Sequence, residues 1–159
     1  MSIIQIILWM ALFGGGTHDS RGWKGIVPLN STRADVERLL GPPTEPCSIG
    51  CDYDTEREGV SVRYSGERCA AGDGNPLNVP PNTVISITVY PAVKPRLLDL
   101  KLRMRKFTRT KDPELNGYST YTNEESGVTY EVSDKKRVLS IQWFGSSRDI
   151  RNSRCRPTR

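Results

Sequence analysis

Hydrophobic and polar positions in the stretch PLNSTRADVERLLGPP, Pro28 to Pro43, are set out for one short helix. Val36, Leu39 and Leu40 recur at i, i+3 and i+4, the spacing of a single helical face. Asp35, Glu37 and Arg38 fall on the other side. Thr32 is placed to cap the first turn, with Asp35 three residues on as a short-armed capping box that also meets the positive end of the helix dipole. Gly41 supplies a left-handed stop and Pro42 forbids continuation. So short a helix is marginal alone, so its apolar stripe is expected to pack on something larger.

That something is predicted by alternation with period two. YDTEREGVSVRY reads as a hairpin, with Val60, Val62 and Tyr64 on one face and a turn near Gly59. Thr83–Tyr90 is the strongest strand. It puts Ile85, Ile87 and Val89 on one face, with Val84, Ser86, Thr88 and Tyr90 on the other. Leu98, Leu100, Leu102 and Met104 alternate with Asp99, Lys101 and Arg103, which predicts a further strand over Leu97–Met104, with Phe107 out of step. Gly117–Thr122, Gly127–Val132 and Arg137–Phe144 form three more strands, separated by the polar turns NEES and SDKK. The expected fold is α+β: a short N-terminal helical front packed on an antiparallel sheet of about five to seven strands that ends in a C-terminal meander.

The ends of the chain change the picture. Ile3 to Phe13 is an apolar run too short to cross a bilayer, which takes ~20 residues. It has the form of a signal-peptide core, followed by small residues at Gly14–Gly16. Residues 1–20 are therefore expected to be a signal peptide or hydrophobic leader, 21–147 one α+β domain, and 148–159 a basic, Arg-rich tail. No cysteine follows the run to carry a lipid. The expected location is periplasmic or secreted.

Net charge is +5, unevenly spread. Residues 94–111 hold eight Lys/Arg against one Asp, a net +7, and residues 148–159 hold five Arg against one Asp, a net +4. The remainder is acidic, so the basicity is local, and local patches attract anions whatever the overall charge. On the predicted strand Lys101, Arg103 and Arg105 share an outward face, with Arg109 near. With the tail they form a candidate grip for an anionic polymer: membrane headgroups, a cell-wall polymer or nucleic acid.

The four cysteines, Cys47, Cys51, Cys69 and Cys155, suit two disulfides in an exported chain. The hairpin register places Cys69 near Cys47 or Cys51, leaving Cys155 for whichever of the two remains. Asp52, Asp54, Glu56 and Glu58 alternate and would share one strand face, a set that could hold a hard cation but reads more simply as a solvated surface. No metal or cofactor is expected. No nucleophile–base pair is visible, since His18, the sole histidine, lies in the leader region. The chain reads as non-catalytic, with no small-molecule substrate evident.

Gly25, Ile26, Ser31, Asp35, Val36, Leu40, Gly41 and Pro43 carry a pattern that resembles the helical opening of the BamE (SmpA/OmlA)-like lipoproteins and of β-lactamase inhibitor protein-like repeats. YEVSDKKRVLSI is similar to the way their sheets continue. The longer stretch from Trp23 to Pro43 and NVPPNTVISITVYP also look like small exported proteins of soil bacteria such as Acidobacteria. The resemblance implies a helical front on an antiparallel sheet, in a module that binds other proteins. The function expected is accordingly a protein-interaction module that uses a sheet face, with Tyr90, Tyr121 and Phe144 as aromatic anchors on that face. The alternative is an anion-binding surface protein working through 94–111 and 148–159.

Overall fold

The computed structural model describes residues 21–69, 77–112 and 117–155; the apolar run expected as a leader lies outside them. Strands β1 (Gly50–Asp54), β2 (Glu58–Tyr64), β3 (Val84–Pro91), β4 (Thr108–Lys111), β5 (Ser119–Asn123), β6 (Val128–Val132) and β7 (Val138–Phe144) make one antiparallel sheet in the order β1-β2-β3-β7-β6-β5-β4. Helix α1 (Arg33–Leu40) precedes the sheet and a short helix α2 (Ser147–Asn152) follows it. The class is α+β.

Register aligns the core across the sheet. Tyr53, Val60, Val89, Ile141, Tyr130 and Tyr121 are consecutive cross-strand partners, and Cys51, Val62, Ile87, Trp143 and Val128 form the next row. All eleven are buried. Their neighbours face the other way: Asp52, Ser61, Thr88, Gln142, Thr129, Thr122 and Thr108, one from each strand. These polar residues are half-buried or exposed, so the sheet has one covered and one open face.

Helix α1 is capped as the sequence predicts. Asp35 accepts from the Thr32 backbone N–H at 2.8 Å, and Thr32 Oγ1 accepts from the Asp35 N–H at 3.3 Å. The bond from the Thr32 N–H, and after it those that the Thr32 hydroxyl and Arg38 donate to the same carboxylate, hold the Asp35 carboxyl below its ordinary pKa. Gly41 has φ of 84°, where a side chain would be strained. The stripe is narrower than expected, however. Val36 is fully buried and Leu40 packs on the core, but Leu39 is 49% exposed.

Two irregularities move residues between faces. The register slips between Arg63 and Tyr64, so that Tyr64 pairs with Val84 and Ile85 is passed over. Val84 thereby enters the core, and Ile85 is only half-buried. The β1–β2 turn also divides the four carboxylates. Asp52 pairs with Ser61 and Asp54 with Gly59 on the open face, whereas Glu58 has the parity of Val60 and reaches Lys24 at 3.3 Å. The single acidic face expected from period two does not form, and Gly59 lies inside β2.

The strand predicted over Leu97–Met104 is absent. Leu97–Leu100 and Met104–Lys106 are two 3-10 turns, with Lys101 in the left-handed region at φ 52° closing the first. Leu97 is buried and Leu98 exposed; Leu97, Leu100, Leu102 and Phe107 all pack on the core. The Leu97–Leu100 step is the three-residue spacing of a 3-10 turn, which alternation of the surrounding residues concealed. The edge strand β4, beyond that segment, had no apolar signal.

The disulfides are Cys47–Cys51 and Cys69–Cys155. The expected link from Cys69 to Cys47 or Cys51 is therefore corrected. Cys51 occupies β1 on the buried face, and the chain from Pro42 onward folds back along that edge, with Thr44 donating to the Asp52 carbonyl at 2.9 Å. Cys47 thus reaches Cys51 locally. Cys69 is left to the C-terminal segment, where Asn78 N–H also donates to Ser153 O at 2.6 Å. Of the basic segment expected over 148–159, residues 148–152 lie in α2 and Cys155 is anchored by its disulfide.

Candidate interaction surfaces

Strand β3 is central and β4 is at the far edge, so the connection between them must pass β7, β6 and β5. The buried packing of Leu97, Leu100, Leu102 and Phe107 shows which way it goes: residues 92–107 form a strap across the covered face. Phe107 meets Tyr130 edge-on, with ring centroids 5.8 Å apart. The start of the strap is held to the β6–β7 turn. Leu97 N–H donates to Lys136 O and Val138 N–H to Pro95 O, each at 2.9 Å, and Arg137 donates to the Lys94 carbonyl at 3.2 Å.

With its leucines turned inward, the strap turns its cations outward. Lys94, Arg96, Lys101, Arg103, Arg105, Lys106, Arg109 and Lys111 are all exposed. Among the described residues Arg96 alone of the eight has an ion-pair partner, Asp99 at 3.5 Å. Lys136 and Arg137 adjoin them through the hydrogen bonds just given, and Lys135 precedes these two in the same turn. Lys136 lines a cleft of about 330 Å³ with Arg109 and Lys111, into which Asp112 and Asp134 also project. The alternative sites Lys101, Arg103, Arg105 and Arg109 are thus all exposed along the strap and the start of β4, and do not share one strand face. The contribution of Lys135–Arg137 was missed because SDKK reads locally as nothing more than a turn.

The tail leaves the sheet away from the start of the strap. Arg137 immediately precedes β7 and α2 follows its other end, and seven strand residues span roughly 20 Å. The start of the strap and the tail lie toward opposite ends of β7.

The three candidate anchors separate. Tyr90 is on the open face and 50% exposed, opposite Gly59, which leaves its ring unshielded on that side. Phe144, opposite Ser86, is half-buried on the same face. Tyr121 is on the covered face and 9% exposed; Arg109 lies 5.8 Å from its ring centroid and donates to Ser119 Oγ at 3.1 Å. Tyr121 is a core residue, because β5 pairs it with Tyr130. It is corrected as an open-face anchor. Alongside Tyr90 the open face has a cleft of about 460 Å³ next to Asp52, Asp54 and Ser61.

Among the described residues, no group of three or more His, Cys, Asp or Glu is placed to share a metal ion, and no helix is long and apolar enough to cross a membrane. The two disulfides suit an oxidising, extracytoplasmic compartment. No protein-family model, curated protein or solved structure matches the chain.

Proposed function

We propose that this chain is an exported, non-catalytic binding module, periplasmic or secreted, whose partner is anionic and docks on the strap. The carrying observation is the row of seven exposed cations within residues 94–111 that have no ion-pair partner among the described residues, joined by Lys135, Lys136 and Arg137. Like charges so close repel one another, and an anion relieves that repulsion while releasing its own counterions. Edge protection accounts for Arg109 and Lys111 on β4. It does not account for Lys101, Arg103, Arg105 and Lys106, which are not on a strand.

A second reading keeps a protein partner on the open sheet face, in line with the resemblance of residues 25–43 to BamE-like modules. Tyr90 favours it, being a half-exposed aromatic on a surface of mixed polarity.

Binding to a polyglutamate probe at low and physiological salt tests the first reading. Wild-type protein is expected to bind, with affinity falling steeply as salt rises. The triple variant Lys101→Glu/Arg103→Glu/Arg105→Glu is expected to lose binding, and Tyr90→Ala/Phe144→Ala to keep it. Wild-type binding that ignores both salt and charge reversal would reject the strap as the site.

A further inference from the structure

The strap carries apolar residues on its outside as well as inside. Six large hydrophobic side chains are exposed among the described residues, and three of them, Val93, Leu98 and Met104, fall within this one segment. Val93 is 85% and Leu98 76% exposed. Single apolar residues scattered over a surface need no explanation, but three of the six falling between Val93 and Met104 is a concentration along the chain. Here each has cations close by in the chain: Val93 precedes Lys94 and Arg96, Leu98 lies between Arg96 and Lys101, and Met104 between Arg103 and Arg105.

The backbone accounts for this display. Leu97 is drawn into the core beside the Lys136 carbonyl, and the 3-10 turn then carries Leu98 away from it. Leu100 and Leu102 return inward, with the left-handed Lys101 between them. Short apolar side chains set among Lys and Arg match the boundary between acyl chains and anionic headgroups, where each cation meets a negative surface and each apolar tip leaves water. A soluble polyanion would engage only the cations. Nucleic acid would want aromatic platforms, but Phe107, the aromatic of the run, is half-buried against Tyr130.

We infer that the strap is a peripheral docking surface for an anionic lipid bilayer, with Leu98 and Val93 entering the headgroup boundary and the surrounding Lys and Arg on lipid phosphates. The inference rests on the proposed anionic partner and narrows it to a membrane surface.

The test uses the full chain with phosphatidylglycerol-containing vesicles, pure phosphatidylcholine vesicles, and polyglutamate as the soluble anion. Wild-type protein is expected to sediment with the anionic vesicles and not with the neutral ones. Leu98→Ser/Val93→Ser is expected to weaken vesicle binding about tenfold, from the apolar area withdrawn, while leaving polyglutamate binding unchanged. Lys101→Glu/Arg103→Glu/Arg105→Glu should weaken both, by about a hundredfold or more on vesicles at roughly fivefold per cation. Because residue 98 is on the surface, Leu98→Trp should fold normally, and its fluorescence is expected to shift to the blue with anionic vesicles alone. Polyglutamate binding without vesicle binding would overturn the lipid surface and leave the anionic-partner reading standing. Vesicle binding that the Leu98→Ser/Val93→Ser variant retains in full would also overturn it. Binding to neither probe would remove both.

Discussion

Cys69 and Cys155, 86 residues apart in sequence, are joined by a disulfide. The bond fixes the segment after α2 to the loop between β2 and β3, while Cys47–Cys51 closes a separation of only four. In the chain-entropy picture the long loop is worth ~4–5 kcal/mol and the short one ~2 kcal/mol. Cys69→Ser/Cys155→Ser is expected to lower the melting temperature by roughly 5–10 °C more than Cys47→Ser/Cys51→Ser. Equal losses in calorimetry would show that loop closure is not what these bonds contribute.

Tyr53 and Tyr64 share a hydroxyl hydrogen bond of 2.8 Å inside the core. Burial, and then this bond, push the Tyr64 hydroxyl above the ordinary tyrosine range. Tyr64→Phe should cost ~1–3 kcal/mol by leaving the Tyr53 hydroxyl without that bond, whereas adding Tyr53→Phe should recover part of the loss. A double-mutant cycle in denaturant checks this. In an ultraviolet pH titration, Tyr64 should ionise only when the protein unfolds in alkali.

The α1 cap has a pH signature. Asp35 has its pKa lowered in the folded state, so its contribution is complete above the ordinary aspartate value of 3.8 and is lost as pH falls through the lower, folded value. Asp35→Asn is expected to be less stable than wild type at neutral pH, with the difference shrinking in acid. Thr32→Ala should cost ~0.5–2 kcal/mol at neutral pH. A constant Asp35→Asn deficit from neutral to acid pH would mean that the charge is irrelevant to the cap.

Adjacent turns of α1 should respond very differently to truncation. Val36→Ala removes a fully buried side chain, at ~0.8 kcal/mol per buried carbon plus a cavity term, about 2 kcal/mol or more. Leu39→Ala, at a half-exposed position, should stay within ~0.5 kcal/mol of wild type. Leu40, half-buried, should fall between. Chemical denaturation of the three variants gives the order directly.

The elements legible in the sequence are those whose signal is local. The capping residues of α1, the hairpin of β1 and β2, strand β3 and the meander β5–β6–β7 all show their own period or punctuation within ten residues or so. For the candidate sites, the cations of 94–111 were visible as a run and Tyr90 as a strand end. Nothing in the text of the chain could show that Lys135–Arg137 would be stapled beside them. Tyr121 and Tyr90 look alike in sequence, each in an alternating strand. Only the pairing of Tyr121 with Tyr130 on one side of the sheet, and of Tyr90 with Gly59 on the other, separates them.

By itself the sequence determined where the chain turns, which segments are extended and how α1 begins and ends, because those depend on neighbours within a few residues. Tertiary structure decided the rest. It set the crossing from β3 to the far edge at β4, the slip that buries Val84, and the partner of Cys69. It also turned Leu97 inward and Leu98 outward. Each of these follows from contacts between residues distant in the chain, made wherever buried apolar area and satisfied backbone hydrogen bonds together outweigh local preference. In the strap that balance overrode a clean period-two pattern, and the residues displaced from the core are those proposed to meet the partner.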